Sequence, residues 1–204
     1  MSDQHYWESK ARIYDRITAP LARPMKSAAI LAADAVRGEN RVLEVAAGTG
    51  LFTTAIAGAA REVVATDYAT AMVAILAKRV QEAGFQNVRC EQADIKALHF
   101  DRASFDCVVA ANVLHLMPDL AATLAALRRV LRPDGKLVVP TFCHDETRLA
   151  AVLSRLLSLT GFPIKHRFST RSLCNALEAA GVRVTRFKTL PGLIPVGYVE
   201  GVFD

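Results

Sequence analysis

Cysteine is scarce in this 204-residue chain and never closely paired: Cys90, Cys107, Cys143 and Cys174 contain no Cys-x-x-Cys. Neither a disulfide framework nor a thiolate zinc site is expected, and the four read as ordinary buried or half-buried thiols. Long apolar runs are lacking as well. Uncharged stretches such as Cys107–Pro118 fall short of the roughly 18 residues that a membrane helix needs. Met1-Ser2-Asp3-Gln4-His5 is not the basic-then-apolar start of a signal peptide, so the expected compartment is the cytoplasm. No internal repeat, low-complexity tract or linker interrupts the chain. No carboxylate–histidine cluster has metal-ligand spacing, and no metal is expected.

What is present describes a folded protein: 52% hydrophobic and 22% charged residues, enough for one α/β domain with a core. The net charge of +5 is uneven. Arg128 to Lys188 holds 12 Lys/Arg against 4 Asp/Glu, while the remainder is slightly acidic. Two readings stay open for that half: a solvated basic face, or a surface for an anionic ligand, lipid headgroups or nucleic acid.

The strongest local signal is Arg41-Val42-Leu43-Glu44-Val45-Ala46-Ala47-Gly48-Thr49-Gly50. Its apolar, β-branched run reads as a buried strand, followed by a tight small-residue turn and a helix-compatible stretch. Strand, glycine turn and helix together bring backbone N–H groups up to a ligand. Glu44 is out of place for a pyrophosphate, which it would repel, and in place for a cationic ligand tail. Position 53 is Thr where Gly-x-Gly-x-x-Gly wants its third glycine, which again argues against a dinucleotide.

Around this stretch strands and helices alternate. Residues 5–37 read as helical, broken by Pro20 and Pro24, with Tyr6, Trp7, Tyr14 and Ile17 at helix-like spacing; they cover a pocket or dock the helix on the core. Glu62–Asp67 is a second strand and Asn87–Glu91 a third. Phe105–Ala111 is a fourth and Lys136–Val139 a fifth, with helices between them. Over 141–170 the pattern loosens around a helix from Thr147 to Leu159, broken at Gly161-Phe162-Pro163, a lid in prospect. Val182–Leu190 and Val196–Phe203 follow as two last strands. Alternation with short connections predicts a parallel sheet covered on both faces, with ligands beyond the strand carboxyl ends. Glu44, Asp67, Asp94 and Asn112 all fall at such ends. The expected organisation is one domain: 1–38 as N-terminal helices, 41–139 as the ligand-binding core, 141–170 as lid, and 171–204 as last helix and strand pair.

With the glycine motif, Asp67, Ala93-Asp94, Phe105-Asp106-Cys107-Val108-Val109 and Leu131-Arg132-Pro133-Asp134-Gly135-Lys136-Leu137 in this order, the chain resembles the class I S-adenosylmethionine-dependent methyltransferases. The likeness is to their small-molecule (methyltransferase type 11-like) group and spans about Arg41 to Val139. It implies an α/β, Rossmann-like, doubly wound seven-stranded sheet, mostly parallel with an antiparallel last strand. It implies S-adenosyl-L-methionine as cofactor and methyl transfer to a small acceptor by in-line displacement. Glu44 and the turn of Ala46, Gly48 and Gly50 are implied to hold the methionine part. Asp67 is implied to accept the ribose hydroxyls, with Tyr68 and Met72 near the nucleoside. Asp94 is implied to take the adenine amino group with Ile95 against the base, and carbonyls near Ala111 and Asn112 to face the methionine amino group. Ala46 replaces the family's usual first glycine, a change tolerated if it keeps negative φ. Helix capping is the competing role for Asp67 and Asp94, and core packing for Tyr68 and Met72.

A sulfonium methyl is already activated, so positioning carries much of the chemistry and a base is needed only for a protonated, high-pKa acceptor. His115, just past the fourth strand, is the first candidate base; the alternative is a structural histidine whose ring bonds loop backbone. Tyr14 and His144 are weaker candidates. The loop at Asn112 has no Asn-Pro-Pro-aromatic motif, which counts against adenine or glutamine amino groups. Phe162, Leu193, Ile194 and Tyr198 are expected to line a pocket for an apolar or amphiphilic small-molecule acceptor. Peripheral membrane contact belongs to the same expectation. Nucleic acid is not an expected partner, since basic residues interleaved with exposed aromatics are lacking. An RNA methyltransferase and a catalytically silent cofactor binder stand as the alternatives. The sequence sets no oligomeric state.

Overall fold

The computed structural model describes residues 3–159 and 162–204; Gly161, expected to break the lid helix, and Met1-Ser2 lie outside them. Seven strands form one sheet in the order β3-β2-β1-β4-β5-β7-β6. They are β1 Arg41–Val45, β2 Glu62–Asp67, β3 Val88–Gln92, β4 Phe105–Ala110, β5 Leu131–Phe142, β6 Val182–Leu190 and β7 Val196–Phe203. β1 pairs in parallel with β2 and β4, and β4 with β5. β7 runs antiparallel to both β5 and β6. The strand order reverses between β1 and β4, and their carboxyl ends open a crevice there.

Eight α-helices accompany the strands among the described residues: α1 Asp3–Lys10, α2 Tyr14–Thr18, α3 Ala22–Ala35, α4 Leu51–Ala57, α5 Thr70–Glu82, α6 Leu120–Val130, α7 Arg148–Ser158 and α8 Thr170–Ala179. Successive strand residues serve opposite faces. Val42, Val63 and Val109 pack with α3, α4 and α5 on one side, while Leu43, Val64 and Val108 pack with α6 and α8 on the other. Helix starts follow the local polar residues. Asp119 accepts from the Ala122 N–H (2.9 Å), Thr147 from Ala150 (3.1 Å), and Ser169 and Ser172 form a capping box.

Two sequence expectations change in detail. Pro24 does not break a helix; it lies in the first turn of α3, where a missing N–H costs nothing. β5 begins at Leu131 rather than Lys136, because Leu131 pairs with Phe105 before a register shift around Pro133-Asp134-Gly135.

Candidate functional site

β1 ends at the crevice and hands over to a turn of unusual backbone. Ala46, Gly48 and Gly50 have φ of +53°, +57° and +93°. The condition set for tolerating Ala46, a negative φ, is not met: alanine bears a left-handed conformation at roughly 1–2 kcal/mol. Gly50 is needed twice over, since a Cβ there would sit 2.7 Å from a Leu76 methyl. Ala47 N–H donates to the Thr66 carbonyl (2.8 Å), tying the turn to the end of β2.

Asp67 closes β2 in front of this turn. One carboxylate oxygen accepts from Gly48 N–H (2.8 Å) and the other from Ala69 N–H (2.9 Å). Its part in the turn that leads into α5 and its place on the cavity wall are thus both realised. Burial pushes its carboxyl upward, against the pull of those N–H groups. Each oxygen keeps a lone pair for a ligand hydroxyl. Asp94 likewise does both jobs: it caps a short 3-10 turn through Lys96 N–H (2.9 Å) and borders the same cavity, with buried Ile95 beside it. Met72 is 2% exposed and Tyr68 sits at the rim, and both line the cavity.

Glu44 is strained electrostatically. It is 1% exposed, accepts from the Thr53 hydroxyl (2.6 Å), and forms no ion pair with any described residue. Burial, with Asp67 adding to it, pushes its pKa up to about 8 despite that hydrogen bond. It borders a second recess shared with Ala46, Gly48, Ala111 and Asn112. A buried carboxylate with no cation of its own fits a ligand that brings one, and the S-adenosylmethionine ammonium is such a group. Asn112, at φ +52°, fixes this wall by accepting from Phe142 N–H (3.1 Å) and donating to Met25 sulfur (3.0 Å).

The N-terminal segment covers the crevice. Glu8 accepts from Thr70 and Ala71 N–H (2.7 and 2.9 Å), capping α5 where Ala69 has no side chain to do so. Asp15 takes the Thr49 hydroxyl (2.6 Å) and pairs with Arg79 of α5. Trp7 and Tyr14 then line the cavity, and the Trp7 ring meets Phe162, beyond α7, at 5.9 Å. None of Glu8, Asp15 or Arg79 carries a sequence signal, since each partner is far along the chain.

At the other end of the cavity, two histidines face each other. His115, 2% exposed, and His144, 1% exposed, have ring centroids 5.3 Å apart. His115 Nδ1 and both His144 ring nitrogens are buried without a hydrogen-bond partner, as is His166 Nε2. The reading of His115 as a ring bonded to loop backbone fails at Nδ1; its carbonyl does the structural work, accepting from Lys165 and His166 N–H (2.9 and 3.0 Å). Burial, then His144 and His166, depress the His115 pKa to about 3. Burial and Arg167 depress that of His144 to about 4. Both rings are neutral at pH 7, too weakly basic to take a proton from a free hydroxyl in advance. Tyr14 fails as a base for the opposite reason: burial raises its phenol to about 12. No three His, Cys, Asp or Glu side chains among the described residues are placed to hold a metal.

The pair has a consequence for stability. An unfolded histidine binds its proton near pH 6.5, whereas these two bind only near 3 and 4. Unfolding therefore takes up protons below pH 6.5, and their contribution is lost as pH falls through that window. His115→Asn with His144→Asn is expected to flatten the acid limb of the stability–pH curve between pH 6 and 4, read by denaturant midpoints.

Of the four residues expected around the acceptor, Phe162 and Ile194 line the cavity. Tyr198 does not: it is fully buried under the sheet and donates to Glu200 (2.8 Å). Leu193 is half exposed and lies off the cavity wall.

Comparison with known proteins fits this geometry. The family described as "Methyltransferase domain" matches residues 43–139. A ubiquinone/menaquinone biosynthesis C-methyltransferase from Teredinibacter turnerae is 34% identical over 140 residues, 67% of this chain and 56% of that protein. The chain thus spans just over half the length of that curated relative. A SAM-dependent methyltransferase from Aquifex aeolicus superposes with a TM-score of 0.74 at 22% identity, covering 97% of this chain and 98% of that one. Magnesium protoporphyrin IX methyltransferase from Synechocystis, with bound SAH, superposes at 0.77 and 18% identity, covering 98% of each. At these identities the two structures speak for the fold.

Proposed function

Since the chain belongs to the class I S-adenosylmethionine-dependent methyltransferases and S-adenosylmethionine is its cofactor, we propose that it methylates a small, uncharged, apolar or amphiphilic acceptor through a hydroxyl-bearing ring. When bound, the cofactor supplies an activated sulfonium methyl. Glu44, Asp67 and Asp94 are the groups that would hold its ammonium, ribose and adenine ends. The observation that carries the acceptor class is the pair His115 and His144, two residues with unpartnered buried nitrogens that line the cavity together with Trp7, Phe142, Leu157, Phe162 and Ile194. Unpaired buried polar groups cost about 1–3 kcal/mol each, so these call for a ligand donor or acceptor. A neutral hydroxyl supplies both, whereas a carboxylate meets two neutral imidazoles there, with Lys96 as the cation among the lining residues.

The residues then orient the ring and keep water out. As the new bond forms, the acceptor's proton becomes strongly acidic, and a weakly basic imidazole is sufficient to receive it. The Teredinibacter relative, named as a C-methyltransferase of quinone biosynthesis, supports an aromatic acceptor.

The test is transfer of a labelled methyl group to a panel of alkylated phenols and hydroquinones, matched aromatic carboxylates, and bulk transfer RNA. Label is expected in the neutral phenolic compounds. His144→Asn is expected to lower kcat/KM for them by about tenfold, one hydrogen bond's worth, with cofactor affinity intact. Label in RNA alone, or in the carboxylates in preference to the phenols, contradicts the proposal.

A further inference from the structure

α7 is inside out. Its protein-facing side carries buried Ala150 and Ser154, and the Ser154 and Ser158 hydroxyls accept from Arg167 Nε and Nη2 at 3.2 and 2.7 Å. Its outward side carries Leu149, Val152 and Leu156, with Leu159 one residue past the helix end; they are 56, 51, 56 and 83% exposed. At about 100° per residue these four share one arc of roughly 80°. Arg148 and Arg155 run along its edge. A surface helix of a globular protein ordinarily presents polar residues outward and keeps its apolar ones inward.

Charge singles out the same region. From Thr147 to Leu177 there are five basic residues, Arg148, Arg155, Lys165, Arg167 and Arg171, and no Asp or Glu. A second exposed apolar pair, Ile13 and Ile17 (41 and 52% exposed), lies among Lys10, Arg12 and Arg16 of the N-terminal segment. The acids nearest to them, Glu8 and Asp15, are engaged with α5. Both flanks border one opening, since Ile17 and Leu157 line the same cavity and the Tyr6 and Trp7 rings meet Phe162 at 6.4 and 5.9 Å.

We propose that this face docks on an anionic lipid surface, α7 lying in the headgroup region with its leucines inserted and the cavity mouth turned toward the bilayer. An apolar stripe bordered by arginines is the composition of an interfacial helix. A second copy of the chain fits less well: a two-fold contact would set the same uncompensated arginines against one another. Nucleic acid fits less well too, because the stripe is aliphatic and offers bases no rings to stack on. The docking stands apart from the proposed reaction, as its test reads no turnover.

The experiment is co-sedimentation of the full chain with vesicles of phosphatidylcholine alone and of mixed phosphatidylcholine and phosphatidylglycerol. The chain is expected to pellet with the mixed vesicles and to remain in solution with the neutral ones. Leu156→Ser with Leu159→Ser is expected to cut partitioning by about tenfold or more. Arg148→Gln with Arg155→Gln, or added salt, is expected to cut it several-fold. The melting temperature should stay that of the parent chain, showing that the variants fold. A parent chain left in solution by the mixed vesicles overturns the proposal, as does a double-serine variant that pellets equally well. Light scattering that shows a dimer dissolved by the double-serine change assigns the face to a second copy and overturns it as well.

Discussion

Asp67→Asn is expected to weaken S-adenosylmethionine binding by about a hundredfold, the worth of two charge-assisted hydrogen bonds at about 1.5 kcal/mol each. The carboxylate stands in the crevice with both oxygens anchored, one by Gly48 N–H and one by Ala69 N–H. It therefore offers the remaining lone pairs in a fixed direction, which suits two neighbouring ribose hydroxyls. Asparagine presents one oxygen and one NH2 group, so one of the two backbone N–H groups must face a donor. The ligand-free protein should consequently also lose roughly 1–3 kcal/mol of stability. Calorimetry and a thermal melt on the same sample read both effects. An Asp67→Asn protein that binds like the parent chain places the ribose elsewhere.

Glu44→Gln has an effect of opposite sign on the empty protein. The folded-state pKa of about 8 lies above the ordinary carboxyl value of 4.5. Between those values the folded chain holds the proton more tightly than the unfolded chain does. Stability thus falls as pH rises from about 4.5 through 8, and glutamine removes that decline. Binding reverses the preference, because an incoming ammonium favours the carboxylate. At pH 7 the parent chain should release a proton on binding S-adenosylmethionine, and its affinity should climb until about pH 8. The Glu44→Gln chain should be more stable than the parent at pH 8, bind at least about tenfold more weakly there, and show no proton release. Titrations in buffers of different ionisation enthalpy measure the release directly. Parent binding without proton release contradicts the role of Glu44.

Much of the framework is legible because local pattern and tertiary environment agree. Glu62–Asp67, Val182–Leu190 and Val196–Phe203 carry their strand patterns over the same residues that pair in the sheet. Asp67 and Asp94 could be placed at the crevice because strand ends in a parallel sheet share one edge. The left-handed Ala46 was hidden, since alanine's own preference is the opposite and only the turn's hydrogen bonds impose it. Thr53 read as a missing glycine; its use as the donor to Glu44 depends on the turn folding α4 back along β1. The histidine pair has no sequence signature, because 28 residues, mostly helix and strand, lie between His115 and His144. Tyr198 looked like a pocket residue by composition alone, and the alternation of β7 sends it into the core instead.

Calorimetric titration of the parent chain with S-adenosylmethionine, its demethylated product and NAD tests the assignment of the crevice most directly. Above pH 8, where Glu44 is ionised, it and the ribose-facing Asp67 predict micromolar binding of both adenosyl compounds and none of NAD, whose pyrophosphate Glu44 would repel. Binding of NAD, or of none of the three, would contradict it.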